Sequence, residues 1–199
     1  NITITTNTPS KASKEKIINQ AFKFHSQGNN VEAAKYYQYF ISQGFRDHRV
    51  FSNYGVILKD LGKSQEAEVS TRKAIEIKPD FAEAHSNLGN ILADLGKLEE
   101  LILLSESTLK SRSINPGYKL RASLQITIAS LLKGDYTETL LNLNKTKELI
   151  NQGSINSIKD KKNKKHTSTF FNFINSLYPE LEKGNNNPDI KKIPHFGES

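Results

Sequence analysis

The sequence predicts an all-α fold built from helix–turn–helix repeats, and three observations predict it. Gly28, Gly62 and Gly96 stand 34 residues apart. Their surroundings repeat with them: Gln27-Gly28-Asn29, Leu61-Gly62-Lys63 and Leu95-Gly96-Lys97 share one register, as do Glu32-Ala33, Glu66-Ala67 and Glu100-Leu101, and Ala21, Gly55 and Gly89 recur ahead of each turn. Phe51, Tyr54 and Leu58 follow one another at three and four residues, the spacing of one helix face. A fixed period of this length means that each hairpin of helices buries its apolar face against the next.

The elements follow in chain order. Residues 1–13 read as a polar tail. The first unit spans 14–47, with Ala21, Phe24, Gly28, Ala33, Tyr37 and Phe40, and closes through Gly44; its bulky aromatics suit a terminal unit. The second, 48–81, is the most regular: Gly55 and Ala67 leave room for two helices to approach, Gly62 supplies the permissive turn backbone, and Pro79 stops the second helix. The third, 82–115, keeps Leu88, Gly89, Leu92 and Gly96 but has Leu101, Ser105 and Thr108 at the later small positions. After the turn signal Asn115-Pro116-Gly117, a degenerate fourth unit over 120–153 turns at Gly134, which lies 38 residues beyond Gly96. The four extra residues predict a longer connection at Ile114 to Tyr118. A basic loop is expected over 154–165, a capping helix over 166–183 with Phe170, Phe171, Ile174, Leu177 and Tyr178 on its apolar face, and a linker with an extended tail over 184–199.

This pattern is similar to the tetratricopeptide repeat family, strongly over Lys14 to Asp80, well to Arg112 and more weakly to Asn151. The resemblance implies a right-handed solenoid whose first helices line a concave groove for an extended peptide or a partner protein, without catalysis. In the family the sixth position of each unit faces that groove. Here it is Asn19, Asn53, Asn87 and Gln125, an amide every time, and the row resembles the asparagine ladder of peptide-glycosylating transferases. An amide has one acceptor and two donors, so it can read a main chain whatever its sequence. The competing reading is that Asn-Leu-Gly belongs to the repeat consensus. The ninth positions Phe22, Val56 and Asn90 complete the expected groove, and Phe22, Val56 and Ile18 serve either to read apolar side chains or to pack internally. A clamp for a chaperone C-terminal carboxylate is not expected, since Ile18, Phe22, Ser52 and Val56 stand where it needs cations and Glu83 would repel the ligand.

Composition narrows the chemistry. The 199 residues are 36% hydrophobic and 25% charged, with a mean hydropathy of -0.57 and no cysteine, methionine or tryptophan. Disulfides, thiolate zinc sites and thiol catalysis are excluded. No apolar run reaches the roughly 18 residues of a membrane span, and Asn1 to Ser10 lacks the pattern of a signal peptide. The expectation is a cytoplasmic chain with no membrane partner, cut or processed from a longer polypeptide because it holds no methionine. The net charge of +7 owes much to Lys159 to Lys165, a lysine run without interleaved arginine or aromatic residues, so no specific nucleic-acid partner is expected. The histidines His25, His48, His85, His166 and His195 show no ligand spacing, and no glycine-rich phosphate loop is present; neither a metal nor a cofactor is expected.

The terminal Gly197-Glu198-Ser199 resembles the start of an SGNH hydrolase-like domain, with Glu198 in place of the usual aspartate. Two functional readings result. The first is a non-catalytic interaction scaffold; the second is the recognition arm of a larger hydrolase-like or glycosyltransferase-like enzyme.

Overall fold

The computed structural model describes residues 11–149. They form eight α-helices, and no strand occurs among the described residues. The helices fall into two compact units, four in each. The basic loop, the capping helix and the extended tail expected beyond Asn151, with most of the polar N-terminal tail, lie outside the described residues.

The first unit contains α1 (Lys11–Ser26), α2 (Asn30–Ser42), α3 (His48–Asp60) and α4 (Ser64–Ile77). Its helix starts are written in short polar residues: the Asn29 side chain accepts from the Glu32 amide at 3.2 Å, and Asp47 accepts from the Arg49 amide at 2.9 Å. Gly62 ends α3 with φ of 75°, which lets the Lys63 amide reach back to the Leu58 carbonyl at 2.8 Å and reverses the chain. Ile18, Ala21, Ala33, Tyr37, Phe40, Val50 and Ile57 make the core of α1, α2 and α3. Tyr37 is central, with the rings of Phe22 and Tyr54 at 6.1 and 6.3 Å. On α3 the buried arc is wider than the single stripe read from the sequence. Val50 and Ile57 are fully buried with Leu58, whereas Phe51 and Tyr54 are half-buried, because α3 packs against α2 on one side and α4 on the other. Ala67 and Gly55 meet as expected: a side chain at Gly55 would collide with the Thr71 hydroxyl and come within 3.2 Å of the Ala67 carbonyl. Helix α4 ends at Ile77, and Lys78 turns extended ahead of Pro79.

The second unit contains α5 (Ala82–Asp94), α6 (Leu98–Lys110), α7 (Pro116–Leu132) and α8 (Tyr136–Leu149). Here α7 is the axis. Helices α5, α6 and α8 all pack on it, and every residue from Ala122 to Leu131 is buried. The extra four residues do not make a longer connection. The link between α6 and α7 runs over 111–115, Asn115 caps α7 by accepting from the Tyr118 amide at 3.2 Å, and Pro116 opens the helix. The additional residues are one more helical turn, since α7 has 17 residues where α3 and α5 have 13. A proline at the first helical position loses no hydrogen bond, so Asn-Pro-Gly starts a helix here instead of interrupting the chain.

The two kinds of glycine make a test. Gly62→Ala meets no neighbour and should cost about 1 kcal/mol for the left-handed backbone alone. Gly55→Ala must push α3 from α4 and should cost about 1–3 kcal/mol. Urea denaturation midpoints in the reverse order would contradict the close helix approach at Gly55.

Candidate functional site

In the first unit the sites read from the sequence fall on two neighbouring first helices. Glu15, Asn19 and Phe22 follow one another along α1 at helical spacing, and Arg49, Asn53 and Val56 do so along α3. Asn19 is exposed; Asn53, Phe22 and Val56 are half-buried. Phe22 is partly committed to internal packing, because it lies against Tyr37 of the core. Its ring also meets Arg49, whose guanidinium sits 5.4 Å from the ring centroid.

Arg49 is the residue the sequence reading passed over. Asp47 holds it in a fork, Nε to Oδ1 at 3.0 Å and Nη2 to Oδ2 at 2.8 Å, while also capping α3. Burial alone would push the Asp47 carboxyl up, but the hydrogen bonds and charge of Arg49, with a contribution from His48, bring it below the usual carboxylate range. The same hydrogen bond raises Arg49 against the opposing effect of burial, helped by the charges of Asp47 and Glu15. A fixed cation therefore lies one helical turn from Asn53, on an aromatic ring from α1.

In the second unit the expected amides separate into two groups. Asn87 and Asn90 on α5 are half-buried, whereas Gln125 on α7 is 5% exposed. Its Nε2 donates to the Ser86 carbonyl at 3.0 Å and to Asn90 Oδ1 at 2.9 Å, and its Oε1 accepts from Ser105 Oγ at 3.4 Å. Gln125 thus ties α5, α6 and α7 together. Gly89 is its receptor: a side chain there would strike the Gln125 amide. Gly89, which shares the register of Gly55, thus makes room for a glutamine from α7.

The residue 34 positions beyond Asn87 is Arg121, one turn ahead of Gln125, and it is only half-buried. Its Nη1 donates to Ser86 Oγ at 3.0 Å. Burial lowers its pKa, opposed by Tyr118 and Glu83. Glu83 in turn is raised by burial, with Arg121 pulling the other way, and Tyr118 is raised by burial and by the Glu83 charge. Keeping the 34-residue count through the fourth unit would have found Arg121. A fourth unit that begins at Leu120 has Gln125 as its sixth residue, because the added turn of α7 separates the two registers.

Among the described residues no group of histidine, aspartate and glutamate is arranged to hold a metal ion, and no helix is long and apolar enough to cross a membrane. Gly197 to Ser199 lie outside the described residues.

Residues 55–96 match the tetratricopeptide repeat family. Among solved structures, the chain is similar to MamA, at 20% identity and a TM-score of 0.65 over 74% of this chain and 78% of that one. It is also similar to YrrB, described as a tetratricopeptide protein with an unusual peptide-binding site, at 18% identity and a TM-score of 0.61 over 80% and 76% of the two chains. A third is a tetratricopeptide repeat protein from Parabacteroides merdae, at 18% identity and a TM-score of 0.60 over 87% and 71%. No curated protein sequence matches the chain. The helical hairpins are those of the tetratricopeptide repeat fold.

Two outcomes follow from the second unit. Gln125→Ala strands buried acceptors and should destabilise it by about 1–3 kcal/mol, measured by chemical denaturation. Glu83 has a folded pKa raised above its unfolded value, so its favourable contribution is complete at acid pH and is lost as pH rises through the folded pKa. Since Glu83 is solvent-exposed, Glu83→Gln should raise the melting temperature only slightly at pH 7 and have no effect near pH 3. An equal shift at both values would contradict a Glu83 carboxyl that titrates above its usual range.

Proposed function

Taking the tetratricopeptide repeat fold as premise, we propose that the chain is a non-catalytic interaction module that binds an extended segment of a peptide or partner protein on its first helices. The observation that supports this reading is a set of exposed or half-buried amides on the first helices, Asn19, Asn53, Asn87 and Asn90, with Asn53 one turn from the anchored Arg49 and Asn87 next to Ser86, whose hydroxyl accepts from Arg121. Half-exposed amides offer directional donors and acceptors to a main chain at a modest desolvation cost. Each arginine is already held by a neighbour, so little side-chain entropy is lost when a ligand carbonyl or carboxylate adds a further bond. Phe22 and Val56 give this surface an apolar component suited to one or two side chains of the ligand. The description of YrrB as peptide-binding supports the same use of the fold.

The test starts from a peptide selected by display against the full chain. Asn53→Ala with Asn87→Ala should weaken its binding by about 1–3 kcal/mol, as for typical net hydrogen bonds, with the thermal midpoint nearly unchanged. Unchanged affinity in calorimetry, with the fold intact, refutes main-chain reading by these amides.

A further inference from the structure

The side-chain amide of Gln125 meets three partners, and one of them settles which way it points. The Ser86 carbonyl, 3.0 Å away, can only accept, so the atom turned to it is Nε2. The second hydrogen of that NH2 group goes to Asn90, 2.9 Å away, and the atom that receives it must be an oxygen. Ser105 completes the set by donating to Oε1 at 3.4 Å. Gln125 is buried and its amide lies in the space that Gly89 leaves open, so the orientation is fixed from inside the unit.

A backbone carbonyl of α5 therefore decides how Asn90 presents itself. Oδ1 is committed inward to Gln125, and Nδ2 keeps its hydrogens for the open side of α5, where Asn90 is half-buried. Turning the Asn90 amide over would set two NH2 groups against each other and lose a hydrogen bond to a buried group. Asn19 and Asn53 differ. Neither side chain makes a hydrogen bond among the described residues, so each can turn oxygen or nitrogen outward as a ligand requires.

We propose that Gln125 is a positioning residue that locks Asn90 as a donor, so that this point of the surface binds a neutral carbonyl oxygen of an extended peptide and rejects its N–H. The inference rests on the peptide-binding reading of the first helices and gives it a polarity. Charge selects a carbonyl over a carboxylate: Asp94 follows Asn90 by one turn of α5, and Glu83 stands two turns before it, where Arg121 opposes its charge. Arg121 extends the same polarity, because it donates to Ser86 Oγ at 3.0 Å and has no acceptor to offer. Ser86 and Asn90 lie one turn apart, about 6 Å along α5. Carbonyls that point to the same side of an extended chain repeat at about 6.6 Å, so two of them fit this spacing.

The test uses the full chain. Without ligand, solvent exchange followed by NMR should be at least about tenfold slower for the Gln125 NH2 protons than for those of Asn90. Asn90→Asp keeps an oxygen toward Gln125 and replaces the outward NH2 by a second oxygen. Its thermal midpoint should stay within about 4 °C of wild type, the scale of one added carboxylate pair with Asp94. The display-selected peptide should bind this variant about tenfold or more weakly. Exchanging single peptide C=O groups for C=S, a weak acceptor, should cost about threefold or more at one position with the wild-type chain and nothing there with Asn90→Asp. Protected Asn90 NH2 protons, or a larger loss of thermal midpoint in Asn90→Asp, overturn the lock, since both require the amide to face the other way. Peptide affinity unchanged by Asn90→Asp, when Asn53→Ala with Asn87→Ala does weaken it, overturns the carbonyl contact and leaves the groove reading standing. Affinity that none of these substitutions moves refutes the groove reading, and the contact with it.

Discussion

Each helix pair must reverse direction within three residues, and that constraint sets everything else. A left-handed residue after the last helical turn is the cheapest solution, and Gly28, Gly62, Gly96 and Gly134 all take it, with φ between 68° and 75°. Once the turns are fixed, helix length is fixed, and with it the side of each helix on which every residue falls. Asn19, Asn53 and Asn87 share a position because the turns that precede and follow them are evenly spaced. A change of four residues between turns therefore changes which residue occupies that position.

That dependence explains what the sequence made legible. The all-helical hairpin order and its turns at Gly28, Gly62, Gly96 and Gly134 follow from glycine spacing and apolar periodicity. The fourth unit was misplaced for a physical reason. An insertion of four residues can lengthen a loop or a helix, and since four residues make about one turn, adding them to a helix preserves the face it buries. Pro116 and Asn115 favoured the helix, as N1 and cap residues do, although the same tripeptide reads as a turn. The burial of Gln125 was not legible at all. It depends on the absence of a side chain at Gly89, on another helix, and no local pattern connects the two.

The two units are held in different ways. Aromatic and aliphatic side chains fill the first, where Tyr37 and Phe40 are fully enclosed and the His25 Nδ1 lies 3.2 Å from the Tyr37 hydroxyl. In the second, α7 carries Ser123, Gln125, Thr127 and Ser130 into the interior. Hydroxyls of this kind can be buried cheaply on a helix, because each bonds the carbonyl one turn back, as Thr127 does to Ser123 at 3.0 Å. Such a core gains less from apolar transfer than one filled with leucine, and more of its definition comes from paired polar groups. A helix surrounded on three sides by partners, with a hydroxyl-rich interior, has to keep each pair intact.

Ion pairs contribute little to this difference. Arg46 with Glu76 at 3.1 Å and Lys133 with Glu99 at 3.1 Å are largely exposed, and pairs of that kind give about 0–1 kcal/mol. Asp47 and Arg49 differ from them in geometry. The carboxylate serves at once as helix cap and as a two-pronged seat for the guanidinium, whose face rests on Phe22. Three weak interactions that share their atoms restrict one side chain far more than three separate ones would, since the rotamer entropy is lost only once. The effect is on position more than on stability: the arginine one turn from Asn53 is held in one orientation, and the equivalent place one repeat later is taken by Glu83.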